Sequence, residues 1–219
     1  MKFLKYGSLV LSMAMIMGLS GCGSSVEFAP TQTSIFIQKD RTISSAEIES
    51  FDNSGFDTPR YDAAELQAFV EDAVSAYNSE KAGTTAVRVE EKSEETLPVA
   101  IEKLEVKDNV ATLILNYAGT EEYLEFNGTT DYVAVQDLIV GTIADGNASG
   151  LDYAGMVKAD GTAADAAEIK EEEKYNLVSV TGDVVVKVEG KVQYMSSGVT
   201  LIDENTVQTP EGTSYIVFK

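Results

Sequence analysis

The side chains that carry most enzyme chemistry are scarce in this chain. Its 219 residues include no histidine, no tryptophan and a single cysteine, Cys22. Without histidine the chain cannot build a Ser-His-Asp triad or a histidine-ligated metal site, and one cysteine cannot form an intrachain disulfide. Proton transfer near neutral pH would therefore have to rely on Asp, Glu, Lys or Tyr side chains in strongly perturbing surroundings.

Motifs for nucleophilic and nucleotide chemistry are also missing: the sequence has no G-x-S-x-G, no S-x-x-K, no P-loop and no G-x-G-x-x-G. Acidic clusters occur at Glu90-Glu91, Glu94-Glu95 and Glu171-Glu172-Glu173. These clusters lie in polar segments, where water keeps a carboxyl pKa ordinary, so a solvated surface is the favoured interpretation. We predict a protein that is not an enzyme, with no catalytic residue and no cofactor. A carboxylate-dependent glycan hydrolase is the least favoured alternative.

One segment has the spacing of calcium ligands. Asp145-Gly146-Asn147-Ala148-Ser149-Gly150 matches the first half of an EF-hand loop, but position 12, which needs a bidentate Glu, is Met156. Asp, Asn, Ser and Gly are also the commonest turn residues, so we expect residues 145–161 to form a loop and assign no metal ligand. The alternative is a calcium site formed by Asp145, Asn147, Ser149 and Asp152.

Cys22 ends a segment with the properties of a secretion signal. Two lysines precede an apolar stretch from Leu9 to Leu19 that is too short to span a bilayer comfortably. The stretch ends in Leu19-Ser20-Gly21-Cys22, which resembles the bacterial lipobox, whose cysteine becomes the lipid-carrying N-terminus. We predict that residues 1–21 are a signal peptide and that Cys22 anchors the protein to the extracytoplasmic face of a bacterial membrane. An ordinary signal peptide or an N-terminal membrane helix is the alternative.

The charge of the chain limits its partners. Sixteen basic and 36 acidic residues give a net charge of −20, and removal of residues 1–21, which carry two lysines and no acid, makes it −22. Such a body repels nucleic acid and anionic headgroups, so a lipid has to hold it at a membrane. Residues 22–34 are predicted to be the lipidated cysteine and a polar tether, and 35–219 a single domain. A subdivision near residue 160 is the alternative.

The strongest helix signal covers residues 62–81. Asp62 and Glu65 have the spacing of a capping box, and Gly83 is placed to end the helix. We predict that Phe69 and Val70, in the middle of the apolar stripe, are both buried, and that the opposite face, which includes Asn78, lies in water. The stripe consists of Leu66, Phe69, Val70, Ala73, Val74 and Tyr77.

Alternating and β-branched runs predict hairpins before residue 120. One hairpin is expected within residues 35–51, and a second from Val99 to Tyr117 around Asp108-Asn109, with a bulge near Glu102. Further along, the sequence predicts a short helix over Thr120 to Phe126, a core segment from Tyr132 to Ile143, and an exposed or marginal helix within Ala163 to Lys174.

The C-terminal part of the chain has the clearest β pattern, because turn signals separate six short β-branched runs. This regular spacing favours antiparallel hairpins. The runs are Asn176 to Val180, Asp183 to Glu189, Lys191 to Ser196, Val199 to Ile202, Thr206 to Thr209 and Ser214 to Phe218.

Longer stretches of the sequence carry a resemblance to known proteins. They read TISSAEIESFD at 42–52, YDAAELQAFVEDAVSAYN at 61–78, VVVKVEGKVQYMS at 184–196 and DENTV at 203–207. Together with the lipobox and the tether, they resemble a group of small lipoproteins of Gram-positive gut anaerobes that has no assigned function. The resemblance implies a lipid anchor and an α+β body, and it carries no catalytic position.

These observations predict an α+β protein, mainly antiparallel sheet with helix 62–81 and a C-terminal run of short strands. The predicted function is that of a membrane-anchored extracytoplasmic lipoprotein. Its body would be a non-catalytic binding or envelope-architecture module with an envelope protein or glycan as partner. The alternative is a small-ligand, sugar or calcium binding module, which a concave apolar pocket with converging Tyr and Asp side chains would favour.

Overall fold

The computed structural model describes residues 26–50, 63–89, 96–128 and 134–219. This part of the chain forms four helices and twelve strands, which confirms the α+β prediction. The helices are α1 (Ala63–Ala82), α2 (Thr120–Asn127), α3 (Ile143–Ala148) and α4 (Ala166–Glu171). The strands are β1 (Ser34–Ile37), β2 (Ile43–Ser50), β3 (Val99–Lys107), β4 (Val110–Tyr117), β5 (Asp137–Thr142), β6 (Met156–Lys158), β7 (Asn176–Thr181), β8 (Val185–Val188), β9 (Val192–Ser196), β10 (Thr200–Asp203), β11 (Thr206–Gln208) and β12 (Thr213–Phe218).

The strands form two sheets. One has seven strands in the order β10-β11-β8-β1-β2-β4-β3, and the other has five in the order β5-β7-β12-β9-β6. Within the described residues, β1 and β8 form a parallel pair and the other strand pairs are antiparallel. Each sheet takes strands from both sides of residue 160, so the two halves of the chain are interleaved.

Both predicted hairpins are confirmed. β1 and β2 pair in the first, and β3 and β4 pair in the second. Asp108 and Asn109 both have positive φ, 51° and 64°, which is the conformation that a two-residue type I′ turn requires and that Asp and Asn tolerate. The pairing register shifts between Ile101 and Lys103, so the predicted bulge near Glu102 is also present.

The six C-terminal runs all become strands, but only β10 and β11 pair as neighbours in sequence. β7 instead pairs with β5 and β12, while β8 lies between β11 and β1. Turn signals determine where a strand ends, and they carry no information about its partner. The predicted strands and their mainly antiparallel pairing are confirmed, although β10 and β11 form the one hairpin between neighbouring runs in this part of the chain.

A single large hydrophobic cluster takes side chains from both sheets. It includes Ile37 and Leu115 from the seven-stranded sheet, Phe218 from the five-stranded sheet and Val74 from α1. A smaller cluster joins α3 and α4 to Val217, the neighbour of Phe218 in β12. Because neighbouring residues of a strand point to opposite faces, the five-stranded sheet is covered on both sides.

Helix α4 contributes to the smaller cluster. It begins at the N-cap residue Asp165 and is shorter than the predicted segment. Its Ile169 is fully buried, so the expectation of an exposed or marginal helix is wrong at this position. The burial of Ile169 attaches this short helix to the body. One buried apolar side chain does not produce a periodic pattern, so the buried face could not be recognised from the sequence.

Helix α1 forms where it was predicted, and its C-terminus has the predicted glycine. Gly83 has φ 68°, and its amide donates to the Ser79 carbonyl at 3.1 Å, which is the hydrogen bond of an αL motif. Asp62 of the predicted capping box lies outside the described residues. Val70 is buried as predicted, whereas Phe69 is 72% exposed, so its predicted burial is wrong.

The buried row of α1 is Val70, Val74 and Asn78, which are spaced four residues apart. Asn78 is fully buried, so its predicted place in water is also wrong. Its Nδ2 donates to the carbonyls of Val99 (2.7 Å) and Ala86 (2.8 Å), and its Oδ1 accepts from the Val99 amide (3.0 Å). The buried face of α1 therefore includes Asn78 and leaves out Phe69, its neighbour in the predicted stripe being Val70. The reason is that the hydrogen bonds of Asn78 satisfy buried backbone groups at the start of β3.

Candidate functional site

Residues 145–161, predicted as a loop, contain the last four residues of helix α3 and the whole of strand β6. A capping box starts α3: the Thr142 hydroxyl accepts from the Asp145 amide at 3.3 Å, and Asp145 Oδ2 accepts from the Thr142 amide at 2.8 Å. The spacing Thr142-x-x-Asp145 is thus a helix-start signal. Interpreting Asp145 and the polar residues after it as a loop overlooked this signal, and the loop prediction is wrong for these elements.

Three adjacent strands form the floor of a cavity beside α3. The register of the five-stranded sheet brings Ile139 of β5, Ser179 of β7 and Tyr215 of β12 into one row. Gly141 and Leu177 form the next row on the same face. Ile139 is 59% exposed, which is unusual for a large aliphatic side chain within a strand. These floor residues were not predicted from the sequence, although the alternation of β5 places Ile139 and Gly141 on the face opposite to the buried Leu138.

Helix α3 and the residues after it form the wall of this cavity, which we call the sheet-face cavity. Its volume is about 270 Å³. Gly141 leaves room for the wall, since a Cβ there would lie 2.9 Å from Asp145 Oδ2. The cavity is lined by Ile139, Gly141, Thr142, Asp145, Gly146, Ser149, Leu151, Leu177, Ser179 and Tyr215.

Asp145 provides the charged group of the sheet-face cavity. Its Oδ2 accepts from the amide and the hydroxyl of Thr142, and lies 3.2 Å from Nη2 of Arg41 in the turn between β1 and β2. The hydrogen bonds from Thr142, and then the positive charge of Arg41, lower the pKa of this carboxyl. Asp145 is therefore ionised at neutral pH and can accept hydrogen bonds but not donate them.

The lowered pKa of Asp145 makes the stability of the protein depend on pH. A carboxyl with a depressed folded-state pKa stabilises the fold above its unfolded value, near ~3.9, and this contribution is lost as the pH falls through the folded-state pKa. We expect the stability difference between the wild type and Asp145→Asn to shrink between about pH 6 and about pH 3. Denaturant titrations at the two pH values measure it. Ser149→Ala, which changes no titratable group, should show the same difference at both, and a pH-independent effect of Asp145→Asn would contradict the prediction.

The four candidate calcium ligands make other contacts. Asp145 caps α3, Asn147 Nδ2 donates to the Lys170 carbonyl at 3.0 Å, and Ser149 Oγ donates to the Gly146 carbonyl at 2.9 Å. Asp152 Oδ1 accepts from the Ala154 amide at 2.9 Å. Because residues 143–148 are helical, the segment does not adopt an EF-hand loop. Within the described ranges, no three Asp, Glu, His or Cys side chains are grouped so that they could hold a metal ion.

A second cavity of about 430 Å³ lies where the N-terminal segment crosses the seven-stranded sheet. Phe28 forms one side of it and stacks on Phe36, with ring centroids 5.2 Å apart. Tyr117 is also a lining residue, but its side chain belongs to the large hydrophobic cluster on the other face of the sheet. Burial raises its pKa to about 12, and its hydroxyl hydrogen-bonds to Ser45 and accepts from Asn127. This phenol is neutral at physiological pH and has a structural role.

Among the described residues, each cavity is lined by a single acidic side chain, Glu102 in the cavity beside Phe28 and Asp145 in the sheet-face cavity, so these residues form no catalytic pair. Glu47 and Glu49 share a face of β2, and desolvation together with the charge of Glu49 raises the pKa of Glu47. Neither residue lines the sheet-face cavity or the cavity beside Phe28. In the run 171–173, Glu171 and Glu173 are exposed and Glu172 is half-buried. Cys22 and the pairs Glu90-Glu91 and Glu94-Glu95 lie outside the described residues.

The fold and the cavity define a mixed α+β body with a small, mainly apolar site on one sheet face. No family model, no curated protein and no solved structure matches the chain. Among the described helices, none combines the length and the apolar composition needed to cross a bilayer.

Proposed function

We propose that the protein is a lipid-anchored extracytoplasmic lipoprotein whose body is a non-catalytic binding module. The observation that carries the proposal is the segment Leu19-Ser20-Gly21-Cys22 behind a basic start and an apolar stretch. Cys22 is the only cysteine of the chain, so its use as an anchor leaves no other thiol chemistry. The net charge of −22 after removal of residues 1–21 supports a covalent lipid over a surface attraction to anionic headgroups.

The contacts of the N-terminal segment support a body held close to the membrane. Lys187 Nζ donates to the Glu27 carbonyl at 2.7 Å, and Phe28 stacks on Phe36, so the segment packs against the sheet from Glu27 onwards. Four residues, 23–26, then separate Cys22 from the first of these contacts. Fully extended, they span at most ~14 Å, compared with ~40 Å for residues 23–34. The lipid would therefore hold the seven-stranded sheet beside the headgroups.

The sheet-face cavity supports binding over catalysis. Its lining combines aliphatic side chains with Tyr215 and the ionised Asp145. A pocket in which Tyr and Asp side chains converge on apolar surface is the feature that favours a small-ligand site. A lone carboxylate with a lowered pKa is a poor general acid or base at neutral pH, because its proton affinity is too low. A small-ligand binding module is therefore the more specific form of the proposal, and a glycan hydrolase is not proposed.

The anchor is tested by Cys22→Ala, since the acyl chains on Cys22 would provide most of the membrane affinity. We expect complete loss of fatty-acid label from the protein, together with release from membranes or accumulation of the precursor that retains residues 1–21. Metabolic labelling, membrane fractionation and the mass of the N-terminal peptide measure these outcomes. Ser24→Ala, two residues away, should leave labelling and membrane association unchanged. An unlabelled wild type, or a Cys22→Ala protein that keeps its label, would overturn the proposal.

A further inference from the structure

We propose that the sheet-face cavity binds a small primary amine that has a compact apolar body, with the amine at Asp145 and the apolar body over Ile139 and Leu177. This ligand class rests on the proposed function of the body as a binding module. It adds the chemistry that the site would recognise. Three features of the cavity support this ligand: its size, its apolar floor and its single charged group.

The size of the cavity limits the ligand to about one ring. A volume of about 270 Å³ exceeds the ~150 Å³ of a protein cavity that holds benzene, and is just below the ~300 Å³ at which ordinary small-molecule sites begin. Gly141 leaves the floor open because it carries no side chain, and Gly146 lets α3 pack against Leu177, so that the helix closes one side of the space. A single six-membered ring with one substituent fits this volume, whereas an oligosaccharide does not.

The floor favours an apolar body. Ile139, Leu151 and Leu177 provide aliphatic surface, and Tyr215 provides an aromatic face. Ile139 is 59% exposed, so a ligand that covers it removes apolar surface from water. The hydroxyls of Ser179 and Tyr215 make no hydrogen bond within the described residues, and lie in the same row of the floor as Ile139. They can satisfy one further polar group of the ligand.

The carboxylate of Asp145 determines which polar group the ligand has to carry. Asp145 Oδ2 is occupied by Thr142 and Arg41, but Oδ1 has no partner in the part of the chain that the structure describes. An ionised carboxylate only accepts hydrogen bonds, so the ligand has to provide the donor. The net charge of −20 attracts cations and repels anions, which favours an ammonium group over a hydroxyl. Arg41 weakens this preference, and we therefore expect millimolar affinity.

Three probes with the same ring separate these contributions: cyclohexylamine, cyclohexanol and cyclohexanecarboxylate. The full-length protein in a zwitterionic detergent, at ~0.15 M salt to screen diffuse attraction, carries ¹³C-labelled isoleucine methyl groups. The Ile139 signal is identified by its loss in Ile139→Val. We expect saturable shifts of this signal, with the amine binding about fivefold more tightly than the alcohol and the carboxylate not binding.

Matched variants locate the amine. Asp145→Asn keeps an oxygen that can cap α3, and should weaken amine binding about fivefold, to the level of the alcohol. Asp152→Asn removes the same charge outside the cavity and should leave amine binding unchanged. Ser179→Leu fills the floor and should abolish the shifts for all three probes.

Each other outcome overturns a defined part of the inference. Equal affinity for the amine and the alcohol, or equal effects of Asp145→Asn and Asp152→Asn, would overturn the amine assignment. The absence of an Ile139 shift with every probe would overturn the site itself. These results are independent of the Cys22→Ala experiment, because purified protein binds the probes whether or not a lipid anchors it. Chemical conversion of a probe would instead contradict the non-catalytic part of the proposed function.

Discussion

The variant Asn78→Ala is expected to lower the free energy of unfolding by about 3 kcal/mol, since a buried donor or acceptor without a partner costs about 1–3 kcal/mol. Asn78 is fully buried and hydrogen-bonds both the amide and the carbonyl of Val99, which is itself fully buried. It also accounts for a hydrogen bond to the Ala86 carbonyl in the segment that follows α1. Alanine removes all three hydrogen bonds and leaves the two Val99 groups away from water.

The matched control is Phe69→Ala in the same helix. Phe69 is larger than Asn78, but 72% of it is exposed, so its truncation should change the free energy of unfolding by less than ~0.5 kcal/mol. Denaturant titration with an unchanged m-value measures both effects. Two results would contradict this: a loss below ~1 kcal/mol for Asn78→Ala, or a greater loss for Phe69→Ala than for Asn78→Ala. Either would mean that α1 packs through the face that carries Phe69 and not through Val70, Val74 and Asn78.

The contrast between these two residues shows what hydrophobic periodicity can determine. The pattern in residues 62–81 correctly predicted a helix and the burial of Val70, because both follow from the spacing of apolar side chains. Which residues at the edge of the apolar stripe are buried depends on the element against which the helix packs. Here β3 presents backbone groups that an amide side chain satisfies, and a hydropathy pattern scores that side chain as polar.

Local signals were likewise sufficient for the second hairpin. Asp108 and Asn109 adopt the positive φ that their turn requires, and the one-residue slip of the apolar pattern near Glu102 corresponds to a real bulge. Both features are encoded within twenty residues of sequence. The parallel pairing of β1 with β8 joins strands about 150 residues apart. This pairing depends on how the whole core packs, and a short stretch of sequence does not contain that information.

The same distinction explains why the sheet-face cavity was not predicted. Its wall depends on a local capping box, Thr142 with Asp145, which the sequence contains but which the abundance of turn residues after Asp145 obscured, so that a loop was predicted there. Its floor depends on the register of β5, β7 and β12, which brings Ile139, Ser179 and Tyr215 together from distant parts of the chain. A site that forms between strands of unknown pairing cannot be assembled from spacing alone.

The variant Gly146→Ala is expected to lower the free energy of unfolding by roughly 2–3 kcal/mol, the usual cost of adding a methyl group to a filled core. A Cβ at Gly146 would overlap the hydroxyl of Tyr153 and lie 2.8 Å from Cδ2 of Leu177. Tyr153 is fully buried and donates to the Ile143 carbonyl at 3.3 Å, so it has no free space to move into. The sign is diagnostic, because within a helix alanine is otherwise favoured over glycine by about 1 kcal/mol.

A double-mutant cycle with Tyr153→Phe identifies the cause. Tyr153→Phe removes the oxygen that the new methyl group would overlap, so Gly146→Ala should cost at least ~1 kcal/mol less in that background than in the wild type. The contact with Leu177 remains in both backgrounds and accounts for the residual cost. Strictly additive effects in denaturant titration would show that the Tyr153 hydroxyl does not limit how closely α3 approaches the sheet. A stabilising Gly146→Ala would show that α3 lies further from the five-stranded sheet, in which case the cavity wall would not be formed as described.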